Sequence, residues 1–137
     1  MKSFIEEDFF KLYLFDTGLL TSLFDVSVED LEPSPSKNAN LRGSIAENYV
    51  AQQLTAREIP CFYWGIQSKS EVDFLIKDSD GNIVPLEVKS GDNVNSRSLE
   101  SYRQKYNPKY LIRMSTKNFG FENGVRSIPL YAAFCEL

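Results

Sequence analysis

Two runs of alternating side chains, residues 71–77 and 83–89, flank the cluster Asp78, Ser79, Asp80, Gly81 and Asn82, and this pairing constrains the fold more than any other feature. β-branched and aromatic residues at every second position, broken by a group of turn formers, predict an antiparallel hairpin. With the turn centred near Asp80, Asp73 lies across from Glu87 and Glu71 across from Lys89. Period two then puts these four side chains on one face and Val72, Phe74, Val84, Leu86 and Val88 on the other. A slip of one residue would break the agreement between the apolar and the acidic patterns. Two carboxylates in direct opposition repel each other unless a cation or a proton lies between them.

The rest of the chain supplies layers for that hairpin. Residues 41–58 read as a helix with Ile45, Tyr49, Val50 and Leu54 on one side, and Pro60 follows its end. Residues 61–66 read as a strand. Residues 96–106 form a second helix with Leu99, Tyr102 and Tyr106 on one face, and further strands are expected over 109–114 and 128–134. Upstream, the aromatic-rich run 8–15 ends at Asp16, Thr17 and Gly18, and Leu19, Leu20, Leu23 and Phe24 mark a short helix capped by Asp16. Residues 27–40, with prolines at 33 and 35, read as an exposed loop. The order α-β-β-β-α-β predicts an α/β fold with a central sheet flanked by helices, residues 1–40 packing on a 41–137 core within one domain.

Composition removes whole classes of function. A chain of 137 residues with 42% hydrophobic content builds a core without help from a disulfide or metal. It has no apolar run long enough for a membrane span and no secretory leader, so a cytoplasmic location is expected. Cys61 and Cys135 fit no metal-spaced pair and read as buried free thiols. There is no histidine, which removes Ser-His-Asp and Cys-His catalysis and the two-His zinc hydrolases. Hydrolytic chemistry is left to carboxylates, lysine or a metal-bound water. The net charge of −4 argues against a broadly basic nucleic-acid surface, though a local basic patch remains compatible with it.

Within those limits Glu47, Asp73, Glu87 and Lys89 form the candidate site of a metal-dependent phosphodiesterase. Acids on adjacent strands converge on a hard cation, and Lys89, two positions after Glu87, points to the same side of the sheet. Each residue also has an ordinary role open to it. Glu47 follows Ser44 by three positions and suits a capping box, Glu71 and Lys89 suit a cross-strand ion pair, and Asp73 and Glu87 suit a solvated sheet face. The single Asp16-Thr17-Gly18 lacks the second copy that an aspartic protease needs. Asp78, Asp80 and Gly81 suggest part of a calcium loop, but Lys89 stands where a bidentate glutamate is required, so this segment is a turn. Nucleic acid, if bound, would meet Lys69, Lys89, Arg97, Arg103, Lys105 and Lys109, with Trp64, Tyr102 or Tyr106 available for stacking.

The order of a helical Glu, a strand Asp and a Glu-x-Lys on the next strand resembles the PD-(D/E)xK nuclease superfamily. Lys11-Leu-Tyr-Leu-Phe-Asp-Thr-Gly-Leu-Leu20, Gly43-x-x-x-Glu47-Asn48, Glu71-Val-Asp-Phe74 and Leu86-Glu-Val-Lys-Ser-Gly91 resemble, over nearly the whole chain, the uncharacterised C-terminal domain of prokaryotic AAA-type ATPases. The chain has no P-loop of its own, so the likeness is to the part that follows the ATPase. This resemblance implies a restriction-endonuclease-like core, with Mg²⁺ or Mn²⁺ held by Asp73, Glu87, the Val88 carbonyl and Glu47. It implies that Lys89 orients or deprotonates the attacking water and offsets charge on the phosphate. The implied partners are DNA or RNA and an ATPase domain or other protein. The proline that gives the superfamily its name is replaced by Val72. A related expectation is a nuclease-fold module that binds or couples without cleaving.

Overall fold

The computed structural model describes residues 9–32, 38–66, 70–91 and 96–136. Asp16 opens α1 (Thr17–Leu23), its carboxylate accepting the Leu19 N–H at 2.8 Å, as expected from its place before an apolar run. Removing that cap with Asp16→Ala should lower stability by about 1 kcal/mol in urea denaturation, while Asp16→Asn should be close to neutral. A loss near zero for the alanine would mean that packing on the next long helix alone holds α1. The stretch read as a loop contains a one-turn helix, α2 (Val28–Leu31), because Ser27 and Asp30 close a reciprocal capping box. Residues 33–37 of that expected loop lie outside the described residues.

The long helix α3 (Ala39–Ala56) starts two residues earlier than its apolar pattern suggested, after Asn38 in a left-handed conformation. Ser44 and Glu47 therefore sit in the helix interior, and the capping-box role for Glu47 is excluded: its side chain is free for tertiary contacts. One stripe of α3, Ala46, Val50, Ala51 and Leu54, is buried against the sheet.

The sheet contains β1 (Phe62–Ile66), β2 (Ser70–Lys77), β3 (Ile83–Lys89), β4 (Leu111–Ser115), β5 (Gly120–Glu122) and β6 (Val125–Pro129), with α4 (Arg97–Tyr106) between β3 and β4. It is mixed, ordered β1-β2-β3-β4-β6-β5, with β1, β2 and β3 antiparallel, β3, β4 and β6 parallel, and β5 antiparallel to β6. The mixed α/β architecture and the core order α-β-β-β-α-β are as expected. One face packs on α3 through Phe74, Ile76, Val84, Leu86, Val88, Ile112 and Met114. The other packs on α4 through Val72, Leu99, Tyr102 and Leu111. With helices on both faces, the central strand β3 is buried from Val84 through Val88, as strands covered on two sides are.

Three expectations need correction. The strand expected over 128–134 is β6 followed by a 3₁₀ turn (Leu130–Ala132) and a short helix, α5 (Ala133–Glu136). A short apolar run such as 130–134 does not distinguish strand from helix by periodicity. The β5–β6 hairpin went unread although Asn123 and Gly124, at φ 50° and 72°, form the left-handed pair that a two-residue hairpin requires. Cys135 is exposed and Cys61 half-buried, so the thiols are free but only one is sheltered. Of the face assigned to the second helix, Leu99 and Tyr102 are buried, whereas Tyr106 is 48% exposed and accepts a hydrogen bond from the Trp64 indole at 3.1 Å. Among the described residues no helix is long and apolar enough to cross a membrane.

Candidate carboxylate site

The β2–β3 hairpin has the expected register, from Lys77 opposite Ile83 to Phe74 opposite Leu86. Asp78 holds the turn, accepting from the Asn82 backbone and side chain, which confirms a turn at that position. The simple alternation does not survive to Asp73. Against β1, Phe62 pairs with Leu75 but Trp64 pairs with Val72, so Asp73 and Phe74 together oppose Tyr63. This is a β-bulge, and it re-aims the side chains on its N-terminal side. Val72 consequently joins the α4 cluster while Phe74 joins the α3 cluster, correcting the expectation that both share a face.

The bulge also corrects the grouping of the acids. Beyond Phe74 the Asp73 carboxylate itself takes the Val88 N–H, at 2.8 Å. Asp73 and Glu71 both face Lys11, whose ammonium also lies 2.8 Å from Glu47 on α3. On β3, Leu86 and Val88 pack toward α3, so Glu87 and Lys89 point to the α4 side. The four side chains expected on one face are thus split, with Asp73 at the opening between the strands. The expected Glu71–Lys89 pair is replaced by two others, Glu71 with Lys11 and Lys89 with Glu87 at 2.5 Å.

Lys11 and Tyr13 are the site residues that sequence reasoning missed. Lys11 Nζ contacts Glu47, Glu71 and, at 3.8 Å, Asp73, and lies over the Tyr63 ring at 5.4 Å. Tyr13 donates its hydroxyl to the same Glu47 oxygen that Lys11 holds. A signal existed: Lys11 and Tyr13 alternate with Phe10, Leu12 and Leu14, the period of an extended segment with one polar edge. Burial disfavours the charge on Lys11, but its hydrogen bonds to Glu47 and Glu71 outweigh this and its pKa is raised. Burial and the Glu47 carboxylate together raise that of Tyr13.

Asp73 is the most perturbed acid. Burial pushes its carboxyl up to about 7; the Val88 N–H and Lys11 oppose the shift, while the charges of Glu47 and Glu87 add to it. Glu87 is only 3% exposed, and its Oε2 is buried without a hydrogen-bond partner among the described residues. An orphaned carboxylate oxygen at this depth costs on the order of 1–3 kcal/mol or more. Its other oxygen, Oε1, pairs with the Lys89 ammonium. Among the described residues no three Asp, Glu or Cys side chains stand together as a metal-holding group.

The basic residues considered for nucleic acid are dispersed. Lys109 pairs with Asp80, Arg103 with Glu100, Lys105 lies over the Trp64 and Tyr106 rings, and Lys69 lies outside the described residues.

Residues 42–133 match the family model described as "Domain of unknown function (DUF4143)". No curated protein and no solved structure matches the chain at a significant level. The matched stretch contains α3 from Arg42 onward, the bulged hairpin with Asp73, Glu87 and Lys89, and every later strand, so the chain belongs to the DUF4143 family, a domain found in AAA-ATPase-associated proteins.

Proposed function

We propose that this domain is a nuclease-like module with a restriction-endonuclease-like core, a metal-dependent phosphodiesterase that works beside an ATPase on DNA or RNA. The observation that carries this reading is Glu87: a carboxylate buried in the central strand with one oxygen unpartnered, close enough to Asp73 to help raise its pKa. A purely structural acid in that position is a net electrostatic cost, whereas a cation would remove it. Asp73 and Glu87, on paired strands, with the Val88 carbonyl would hold Mg²⁺ or Mn²⁺, which when bound supplies a more acidic water and a Lewis acid for the phosphate, while Glu47, expected to join them, is held on the α3 side by Lys11 and Tyr13. Lys89, already drawn to Glu87, would orient the attacking water and offset charge developing on the phosphate oxygens.

The test is cleavage of labelled linear, branched and single-stranded DNA and of RNA in excess Mg²⁺ or Mn²⁺. Metal-dependent cutting that falls by about 100-fold or more in both Asp73→Asn and Lys89→Ala supports the assignment. No cutting of any substrate, together with no Mn²⁺ binding by calorimetry, would overturn it. One observation favours a second reading, a binding or coupling module that does not cleave. Glu47, Glu71 and Asp73 already face Lys11, and Glu87 pairs with Lys89, so each of these acids has a cation from the chain itself.

A further inference from the structure

Helix α1 is fastened to α3 with most of its apolar side chains turned to solvent. Thr17 donates its N–H and hydroxyl to Gln52 Oε1, at 3.1 and 2.8 Å, and Asn48, itself buried on α3, donates to the Thr17 hydroxyl at 3.3 Å. Asn48 also accepts the Leu14 N–H at 2.8 Å and donates back to the Leu14 carbonyl at 3.1 Å, fixing the extended segment that leads into the helix. These neutral anchors set the roll of α1. Thr17, Leu20 and Thr21 are half-buried, Leu19 and Leu23 are exposed, and no residue of the helix is buried. Together with Phe10, Leu12, Phe15 and Phe24, the two leucines are between 46% and 86% exposed. Six large side chains in that state present roughly 800 Å² of apolar surface. The largest apolar patch of a monomer is ordinarily about 300–600 Å², and one side of a standard protein interface is about 800 Å².

The charge around this surface says what can cover it. From residue 12 to residue 32 the chain carries Asp16, Asp25, Glu29, Asp30 and Glu32 and no lysine or arginine, although the net charge of the whole chain is only −4. Asp16 and Asp25 bracket α1, and Glu29 and Glu32 lie on and just after α2. Among the described residues none of these four forms an ion pair with a base. A second copy set face to face would oppose like charges, and an anionic lipid surface or a nucleic acid would be repelled in the same way. We propose that this surface docks a basic amphipathic helix of a partner protein, with the partner's apolar stripe on Leu19, Leu23, Phe15 and Phe24 and its Lys or Arg against the acidic rim. A helix supplies both features at once, apolar side chains at three- and four-residue spacing with cations beside them. Leu19 and Leu23, four residues apart, make the ridge that such a helix receives in its groove. This docking is independent of any hydrolytic activity, because it uses none of Glu47, Asp73, Glu87 or Lys89.

The probe is a fluorescein-labelled amphipathic helical peptide of leucine and lysine, titrated with the full chain and followed by fluorescence anisotropy, with a peptide of leucine and glutamate as its control. The lysine peptide should bind, more weakly as salt is added, and the glutamate peptide should not. The double variant Leu19→Ser, Leu23→Ser should bind the lysine peptide about tenfold more weakly than the wild type. The double variant Asp25→Lys, Glu29→Lys should weaken it as well. All four positions are exposed, so both variants should keep the native near-UV circular dichroism that is checked first. Equal binding of the two peptides, or wild-type affinity in either double variant, overturns the proposal. A lysine peptide that does not bind overturns it too, and two further measurements then name the occupant. A dimer in sedimentation that Leu19→Ser, Leu23→Ser dissolves would make it a second copy; binding to vesicles of phosphatidylcholine and phosphatidylglycerol would make it a lipid surface.

Discussion

Asp73→Asn is expected to stabilise the metal-free protein at pH 8 by roughly 2 kcal/mol, a gain that vanishes toward pH 4. The carboxyl of Asp73 is pushed up to about 7 from an ordinary 3.8. Between those values the folded chain keeps a proton that the unfolded chain releases, so stability falls as pH rises through this window. Below about pH 4 both states are protonated and the penalty is absent; above about pH 7 it is complete. A displacement of that size sets a ceiling of about 4 kcal/mol, and the remaining solvent access of Asp73, 18% exposed, reduces it to about half. Asparagine keeps an oxygen for the Val88 N–H and never ionises. Urea midpoints of both proteins from pH 4 to 8, in EDTA, measure the difference. A variant no more stable than the wild type at pH 8 would show that Lys11 already compensates Asp73 in full. A residue that weakens its own fold at neutral pH is the pattern expected where charge is held ready for a ligand.

Phe74→Ala should cost about 4 kcal/mol. Phe74 is 1% exposed, occupies the second position of the bulge and packs in the α3-facing core, with Tyr13 tilted against it. Its loss opens a cavity under α3 and removes the ring on which Tyr13 packs. Against a total of about 5–15 kcal/mol, a loss of that size leaves the variant close to unfolding at 37 °C. Phe74→Leu, which retains most of the volume, should cost about 1 kcal/mol. An alanine penalty below about 1.5 kcal/mol would mean that the bulge relaxes and the site is not rigidly supported.

Much of the framework was legible because it depends on near neighbours. Apolar spacing revealed α3, α4 and the first three strands, and the Asp78–Asn82 cluster set the β2–β3 register. The Asn123-Gly124 turn was equally local and equally readable, and passing over it misplaced the last strand. The capping role weighed for Glu47 failed on a boundary, since helix starts are blurred wherever, as at Asn38, no side chain caps the first turn.

The site divides along the same line. The sequence by itself determined that Asp73 and Glu87 lie on paired strands and that Lys89 shares a face with Glu87, because strand period and turn chemistry act over a few residues. It also determined that no histidine is present to serve as a base or a metal ligand. The tertiary structure alone decided that Asp73 leaves the simple alternation, since a bulge exists only relative to the facing strand β1. It alone decided which cation meets the acids: Lys11 is 36 residues from Glu47 along the chain yet 2.8 Å away in space, and electrostatic energy follows the second distance.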